Sequence, residues 1–155
     1  MPNHCSNRVT ISSPEGKEDQ FKEVLKAFES ERPFQSLYPQ PDWPNIPNKE
    51  GVLPELREMK RPDGTVFTTT YEFPGGVNDD RWYDWCYQNW GTKWEAYDFH
   101  VADIDEECGY ATFEFMTAWA PADGIFNVIR EKYPDVGISW FYDEPGCELA
   151  GYLPN

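Results

Sequence analysis

Apolar residues recur along the first part of the chain with two different spacings, and each spacing predicts a different element. Residues 8–12 (Arg-Val-Thr-Ile-Ser) alternate and are rich in β-branched side chains, which is typical of a strand. Phe21, Val24, Leu25 and Phe28 follow at positions i, i+3, i+4 and i+7, so they share one face of a helix. The chain therefore opens with a strand followed by an amphipathic helix.

The last third of the chain predicts a longer series of elements. Tyr97, Phe99 and Val101 alternate with Asp98 and His100, which indicates a strand with the three apolar side chains on one face. Apart from the middle of the chain, the predicted order is strand, helix, strand, strand, helix, strand, which is that of the ferredoxin-like split βαβ arrangement. We predict an α+β fold with an antiparallel sheet and both helices on one of its faces. The elements predicted after the strand at Tyr97 are a strand, a helix and a strand, over 110–119, 121–133 and 136–142, and a turn at 144–146 leads into a short final strand.

The middle of the chain interrupts this pattern. Six prolines between positions 33 and 54 preclude a long helix or a central strand there. The turn sequence Arg-Pro-Asp-Gly-Thr at 61–65 separates two strand-like segments, 56–60 and 66–73, and so predicts a hairpin. Trp82, Trp85, Cys86 and Trp90 then recur at helical spacing, and Gly91 is a natural helix end. We predict a single domain over 1–155, with a core of 1–29 and 94–155 and a Pro- and aromatic-rich insertion over 30–93.

The composition is strongly acidic. The chain has 28 Asp and Glu residues against 13 Lys and Arg, for a net charge of −15. Such a surface repels phosphate backbones, because nucleic-acid affinity comes mainly from Lys and Arg. It attracts basic partners and accelerates encounters with them. The alternative is that the charge serves solubility alone.

One short motif, residues 89–94, marks the break between the Trp-rich helix and the strand that follows. With residues 1–11, 117–121, 133–134 and 142–146, it resembles the Api-type proteins of phages and plasmids. This resemblance implies a ferredoxin-like C-terminal part and a mobile genetic element as the source, but it carries over no catalytic residue. His4 departs from the family pattern, in which an aromatic residue is expected. The signature residues of the motif are Asn89, Trp90, Gly91, Thr92, Lys93 and Trp94.

The acidic residues of the second half are the candidate partner-binding site. Grouped on one face, they would imitate nucleic-acid phosphates and dock on a basic host protein, itself one that binds nucleic acid. A phage or plasmid setting suggests an inhibitor of a host defence protein such as a CRISPR nuclease. The run at 103–107 has the alternative interpretation of a solvated turn. The candidates are Asp79, Asp80, Asp84, Glu95, Asp98, Asp103, Asp105, Glu106, Glu107, Asp143, Glu144 and Glu148.

Two alternatives belong to other functional classes. The first is a small ligand-binding domain or enzyme with a pocket of Trp43, Trp90 and Trp94 beside Glu95 or Asp98. The second is single-stranded nucleic-acid binding on the sheet face. Residues 108–115 partly match the RNA-recognition octapeptide, and Tyr110 and Phe115 are the candidate stacking residues. Cys108 and Thr112 stand where that motif has a basic and an aromatic residue.

The sequence predicts no catalytic residue, metal site or cofactor. No serine or cysteine has a recognisable nucleophile motif, and none of His4, Cys5, His100 and Cys108 shows the close spacing of zinc ligands. We expect a non-enzymatic protein. No signal peptide and no apolar stretch of about 20 residues is visible, so we expect neither export nor membrane insertion. Four scattered cysteines favour free thiols and a cytoplasmic location, in the host cell if a phage encodes the protein.

Overall fold

The computed structural model describes residues 3–154, and the chain forms two compact units, with one of their two boundaries in the sequence falling within a helix. The first unit comprises Met1–Pro39 and Cys86–Asn155, and the second comprises Gln40–Trp85. The predicted insertion, residues 30–93, is wider than the second unit at both ends. That all 155 residues behave as a single domain stays a prediction.

The secondary structure contains the predicted elements and several short additional ones. Two 3-10 turns, Trp43–Asn45 and Pro145–Cys147, supplement the helices and strands. In chain order, these are β1 (His4–Ser12), α1 (Glu18–Phe28), α2 (Pro33–Leu37), β2 (Glu55–Lys60), β3 (Val66–Phe73), β4 (Val77–Asn78), α3 (Arg81–Asn89), β5 (Tyr97–Asp105), β6 (Tyr110–Ala118), α4 (Asp123–Lys132), β7 (Gly137–Glu144) and β8 (Leu149–Tyr152).

The strands of the first unit form one sheet in the order β5-β6-β1-β7-β8. All neighbouring strands in it are antiparallel. Apart from the additional edge strand β8, this is the order of a ferredoxin-like sheet, with the hairpin β5–β6 on one side of β1 and β7 on the other. The predicted α+β class and split βαβ arrangement are confirmed.

One face of this sheet is covered by helices and forms the core. Phe28 of α1 stacks on Phe113 of β6 with 4.8 Å between ring centroids, and Phe126 of α4 contacts Trp140 of β7 edge-on. The indole N–H of Trp140 donates to Oδ1 of buried Asn7 at 2.9 Å, which satisfies a polar group inside the core. Both helices therefore lie on the same side of the sheet, as predicted.

The edge strand β5 is irregular, and one prediction about it is wrong. Its pairing with β6 shifts between Tyr97 and His100, and Asp98 in this bulge has a left-handed φ of 49°. As a result, Phe99 packs among the phenylalanines of the helix-covered face, whereas Tyr97 contacts His4 on the other face. Tyr97 and Phe99 were expected on one face, but the extra residue of the bulge reverses the alternation between them.

The second unit contains a three-stranded antiparallel sheet, β2-β3-β4. The predicted hairpin is confirmed, and Gly64 supplies the left-handed φ of 89° that its turn requires. Register and strand alternation place Leu56, Tyr71 and Val77 on one face of this sheet. Each of these three side chains is at least 40% exposed. The second unit therefore presents an apolar and aromatic sheet surface.

Candidate functional site

Five of the predicted acidic residues lie along β5 or in its turn toward β6. Because β5 is an edge strand, one of its sides has no neighbouring strand within the sheet. Asp105 differs from the other acids: its Oδ1 accepts the backbone N–H of Cys108 at 3.0 Å, which holds the pKa of Asp105 below its ordinary value and shapes the turn. The acidic residues of this strand and turn, all exposed, are Asp98, Asp103, Asp105, Glu106 and Glu107.

We call Asp98, Asp103, Glu106 and Glu107 the acidic edge. Within the described part of the chain, none of their carboxylates forms a hydrogen bond or an ion pair. Their charges are therefore not compensated locally, unlike that of Asp105 with its backbone donor. Asp80, Asp84, Asp143 and Glu148 are likewise exposed and unpaired among the described residues, so the acidic edge differs from them in that its four members share one strand and its turn.

Glu95 does not belong to a binding surface, and its assignment to one is wrong. Its two carboxylate oxygens accept the backbone N–H groups of Phe34 and Gln35 at 2.7 and 3.0 Å. These donors open helix α2, where an N-terminal carboxylate satisfies otherwise unpaired N–H groups. Burial raises the pKa of Glu95, although the backbone hydrogen bonds oppose the shift.

Asp79 and Glu144 are also misassigned, for the same physical reason. Asp79 forms two hydrogen bonds of 2.8 Å with the Arg81 guanidinium, and this contact lowers the pKa of Asp79. Glu144 is 2% exposed, and its Oε2 accepts the backbone N–H of Cys147. Both carboxylates are used in local structure, so they are not presented to a partner.

The remaining acidic candidates are exposed but lie apart from the acidic edge. Asp80 and Asp84 belong to the second unit, and Asp143 and Glu148 lie at the β7–β8 side of the sheet. Between the two sides of the sheet, on its helix-free face, Glu114 bonds both Arg8 at 2.6 Å and His100 at 2.9 Å. The predicted acids of the first unit are thus split into two groups. That any of them binds a partner stays a prediction.

The residues of the signature motif have structural roles. The indole N–H of Trp90 donates to the carbonyl of Tyr38 at 2.8 Å, and the Tyr38 hydroxyl donates to Asn89 Oδ1 at 3.0 Å. The Thr92 hydroxyl donates to the carbonyl of Ala118 at 2.9 Å. The motif therefore joins the end of α3 to the end of α2 and to the end of β6.

Glycine is required where the motif meets α4. Gly91 has φ +86° and its N–H donates to the Cys86 carbonyl, which ends α3. A Cβ on Gly91 would also lie 1.9 Å from a carboxylate oxygen of Asp123. Lys93 and Trp94 complete the motif with a cation–π contact of 4.3 Å.

The predicted pocket of three tryptophans is wrong, because Trp90 is 1% exposed and packs edge-on against Phe34 in the first unit. A different groove of about 520 Å³ lies in the second unit. Its walls include the rings of Trp43, Tyr71 and Trp82. We call it the aromatic groove. Of the residues predicted for the pocket, only Trp43 lines this groove.

The predicted nucleic-acid stacking site is not formed. Phe115 is 3% exposed and packs against Phe99 and Trp140 on the helix-covered face, so a base cannot stack on it. Residues 3–154 contain no group of three His, Cys, Asp or Glu side chains that could hold a metal ion. None of the helices described is long and apolar enough to cross a membrane.

Comparison with known families identifies the C-terminal part of the chain. Residues 89–154 match the family model described as the ferredoxin-like domain in Api92-like protein. This match starts at Asn89, lies entirely in the first unit and confirms both the Api-type resemblance and the ferredoxin-like fold for these residues. No curated protein and no solved structure shows significant similarity to the chain.

Proposed function

We propose that this chain, whose residues 89–154 form a ferredoxin-like domain of the Api92-like type, is a non-enzymatic binding protein that engages a basic host protein through the acidic edge. The observation that carries the proposal is the set of four exposed, locally uncompensated carboxylates at Asp98, Asp103, Glu106 and Glu107. Complementary charge accelerates association and selects partners more strongly than it adds affinity. We therefore expect fast, salt-sensitive binding.

Charge on an edge strand has a competing explanation. Charged side chains on an exposed edge prevent pairing with strands of other molecules, and this protection requires no partner. The two explanations differ in their consequences. Protection predicts aggregation when the acidic edge is neutralised, whereas partner binding predicts a soluble protein that has lost an interaction.

The stricter form of the proposal is mimicry of nucleic acid, with a CRISPR nuclease or another host defence protein as the target. The net charge of −15 and the mobile-element setting implied by Api-type proteins support it. Two of the four carboxylates lie on β5 and the other two in the turn that follows it, so they do not form one regular row like the phosphates of a DNA strand. The acidic edge therefore supports a basic partner in general more strongly than a close copy of DNA.

The environments of both histidines support a non-enzymatic role. His4 bonds the Tyr97 hydroxyl and His100 bonds Glu114, so neither imidazole is paired with a serine or cysteine nucleophile. Burial raises the pKa of the neighbouring Cys5 thiol to about 11, which opposes thiolate formation. The exposed free thiols of Cys108 and Cys147 suit a reducing compartment, and we propose the host cytoplasm.

The test is capture of partners from host lysate on the immobilised chain at low and high salt. We expect basic nucleic-acid-binding proteins to be retained at low salt and released by salt or by competing duplex DNA. A variant carrying Asp98→Asn, Asp103→Asn, Glu106→Gln and Glu107→Gln should lose this capture while remaining soluble. Asn is chosen at position 98 because it tolerates the left-handed conformation found there. Retention that is indifferent to salt and to these substitutions would count against the proposal.

A further inference from the structure

The aromatic groove of the second unit has the composition of a site for an organic cation. It measures about 520 Å³, within the range of sites that hold small ligands. We infer that it receives an arginine side chain of the basic partner, an inference that rests on the function proposed above. Residues lining the groove are Trp43, Pro44, Thr69, Tyr71, Asp80 and Trp82, among others.

The aromatic rings supply the first part of the recognition. The faces of indole and phenol rings carry negative charge density and attract cations, and arginine is found over them more often than lysine. Trp43 and Trp82 are half-buried and Tyr71 is 40% exposed, so the rings are fixed by the fold yet reachable from solvent. A planar guanidinium can stack on such a surface while its stem covers apolar wall.

Of the two neighbouring carboxylates at the groove, one is paired with a cationic side chain and the other is not. The charge of Asp79 is balanced by Arg81, since the guanidinium Nε lies 2.8 Å from Asp79 Oδ1. Asp80 is exposed, and its carboxylate forms no ion pair or hydrogen bond with any residue that the structure describes. The lining therefore carries one uncompensated negative charge. This charge favours a cation over a neutral or anionic ligand of equal size.

The same unit already accommodates one guanidinium. That of Arg81 lies 5.1 Å from the Trp43 ring centroid and 5.2 Å from that of Phe73. Its N–H groups also donate to the carbonyls of Trp43 and Pro47, at 3.0 and 3.2 Å. Arg81 thus anchors the Trp43 segment, and this part of the groove wall is preformed rather than assembled by a ligand. Preformed walls lower the entropic cost of binding.

The test uses the full chain and small probes, with no partner protein. Isotope-edited NMR follows the indole N–H signals during titration with N-acetyl-arginine-methylamide. We expect saturable shifts of the Trp43 and Trp82 signals. The citrulline analogue has the same shape without the charge, and we expect it to bind more weakly by a factor of up to about five. Asp80→Asn should weaken arginine binding, whereas Asp84→Asn, on α3 but outside the groove lining, should not.

Three results would overturn the inference. Equal binding of citrulline would make the groove an apolar site without cation selectivity. Unchanged arginine binding in Asp80→Asn would remove the role of the uncompensated charge. Tighter binding of choline than of the arginine probe would assign the groove to a free quaternary ammonium compound. The titration involves no partner protein, so a negative titration would not count against partner binding at the acidic edge. Conversely, failure of the capture experiment would not alter a positive titration.

Discussion

The indole N–H of Trp90 donates to the backbone carbonyl of Tyr38 across 2.8 Å, and Trp90 is 1% exposed. This bond links the end of α3 to the residue that follows α2, at a point where both chain segments leave regular structure. The Tyr38 hydroxyl in turn donates a hydrogen bond to Asn89 Oδ1. The signature motif is therefore explained by the stability of the first unit, independently of any binding function.

Replacing Trp90 tests this role. Trp90→Phe keeps an aromatic ring but removes the N–H donor, and it leaves the Tyr38 carbonyl without this donor. We expect the free energy of unfolding to fall by about 2–4 kcal/mol. Trp94→Phe is the matched control, because Trp94 is 39% exposed, and it should cost about 1 kcal/mol or less. Urea unfolding of the two variants makes the comparison, and equal effects would contradict the assignment.

Gly124 at the start of α4 tests the contact with α3. Its N–H donates to the Trp90 carbonyl at 3.1 Å, and an added Cβ would lie 1.8 Å from the backbone oxygen of Asn89. Alanine normally favours a helix over glycine by about 1 kcal/mol. We nevertheless expect Gly124→Ala to lower the free energy of unfolding by about 1–3 kcal/mol, because backbone atoms must move apart.

The control for this substitution is Gly151→Ala, since a Cβ there meets nothing closer than 3.9 Å. It should change the unfolding free energy by about 0.5 kcal/mol or less. Thermal or urea unfolding measures both variants. Stabilisation by Gly124→Ala would show that helix propensity outweighs the clash and would contradict the close approach of the two helices.

The Asp79–Arg81 pair predicts a specific pH dependence. The hydrogen bond from Arg81 lowers the pKa of Asp79 below its ordinary value of 3.8, so unfolding raises this pKa. The stabilisation is complete above 3.8 and is lost as the pH falls through the lower folded value. Asp79→Asn should remove this part of the acid-induced loss of stability. Unfolding free energies measured between neutral and acidic pH test it, and an acid-induced loss in Asp79→Asn equal to that of the unsubstituted protein would contradict it.

The four cysteines should differ in reactivity. Burial raises the pKa of both Cys5 and Cys86 to about 11, whereas Cys108 and Cys147 are exposed. Nearby Asp105 and Glu144 also raise the pKa of these two thiols, which slows but does not prevent their reaction. A thiol reagent at mildly alkaline pH should modify two cysteines in the native protein and four in denaturant. Modification of Cys5 at the rate of Cys108 would contradict the described burial.

Periodicity predicted the ferredoxin-like order because β1, α1, β6 and α4 have regular patterns whose apolar faces do meet in the core. It failed at β5, where the bulge at Asp98 is invisible to a rule based on strict alternation. The hairpin of the second unit was predictable from its turn sequence alone.

The candidate site was only partly predictable, because charge does not reveal which carboxylates the fold itself uses. Asp79 has an arginine two residues away, a local signal that was available in the sequence. Glu95 has no such signal, since its donors at Phe34 and Gln35 are about sixty residues distant in the chain. The aromatic groove was equally hidden, because Tyr71, Trp43 and Trp82 come from three separate segments.

The most direct test of partner binding at the acidic edge compares two variants that have the same net charge. One is the edge-neutralised variant described above, and the other carries Asp19→Asn, Glu23→Gln, Glu29→Gln and Glu31→Gln, all exposed on or just after α1. The measurement is the dissociation constant of each variant for the captured partner at low salt. We predict weakening on the order of tenfold or more for the edge-neutralised variant and little change for the other. Equal weakening of both would mean that net charge alone acts, and it would contradict a binding site at the acidic edge.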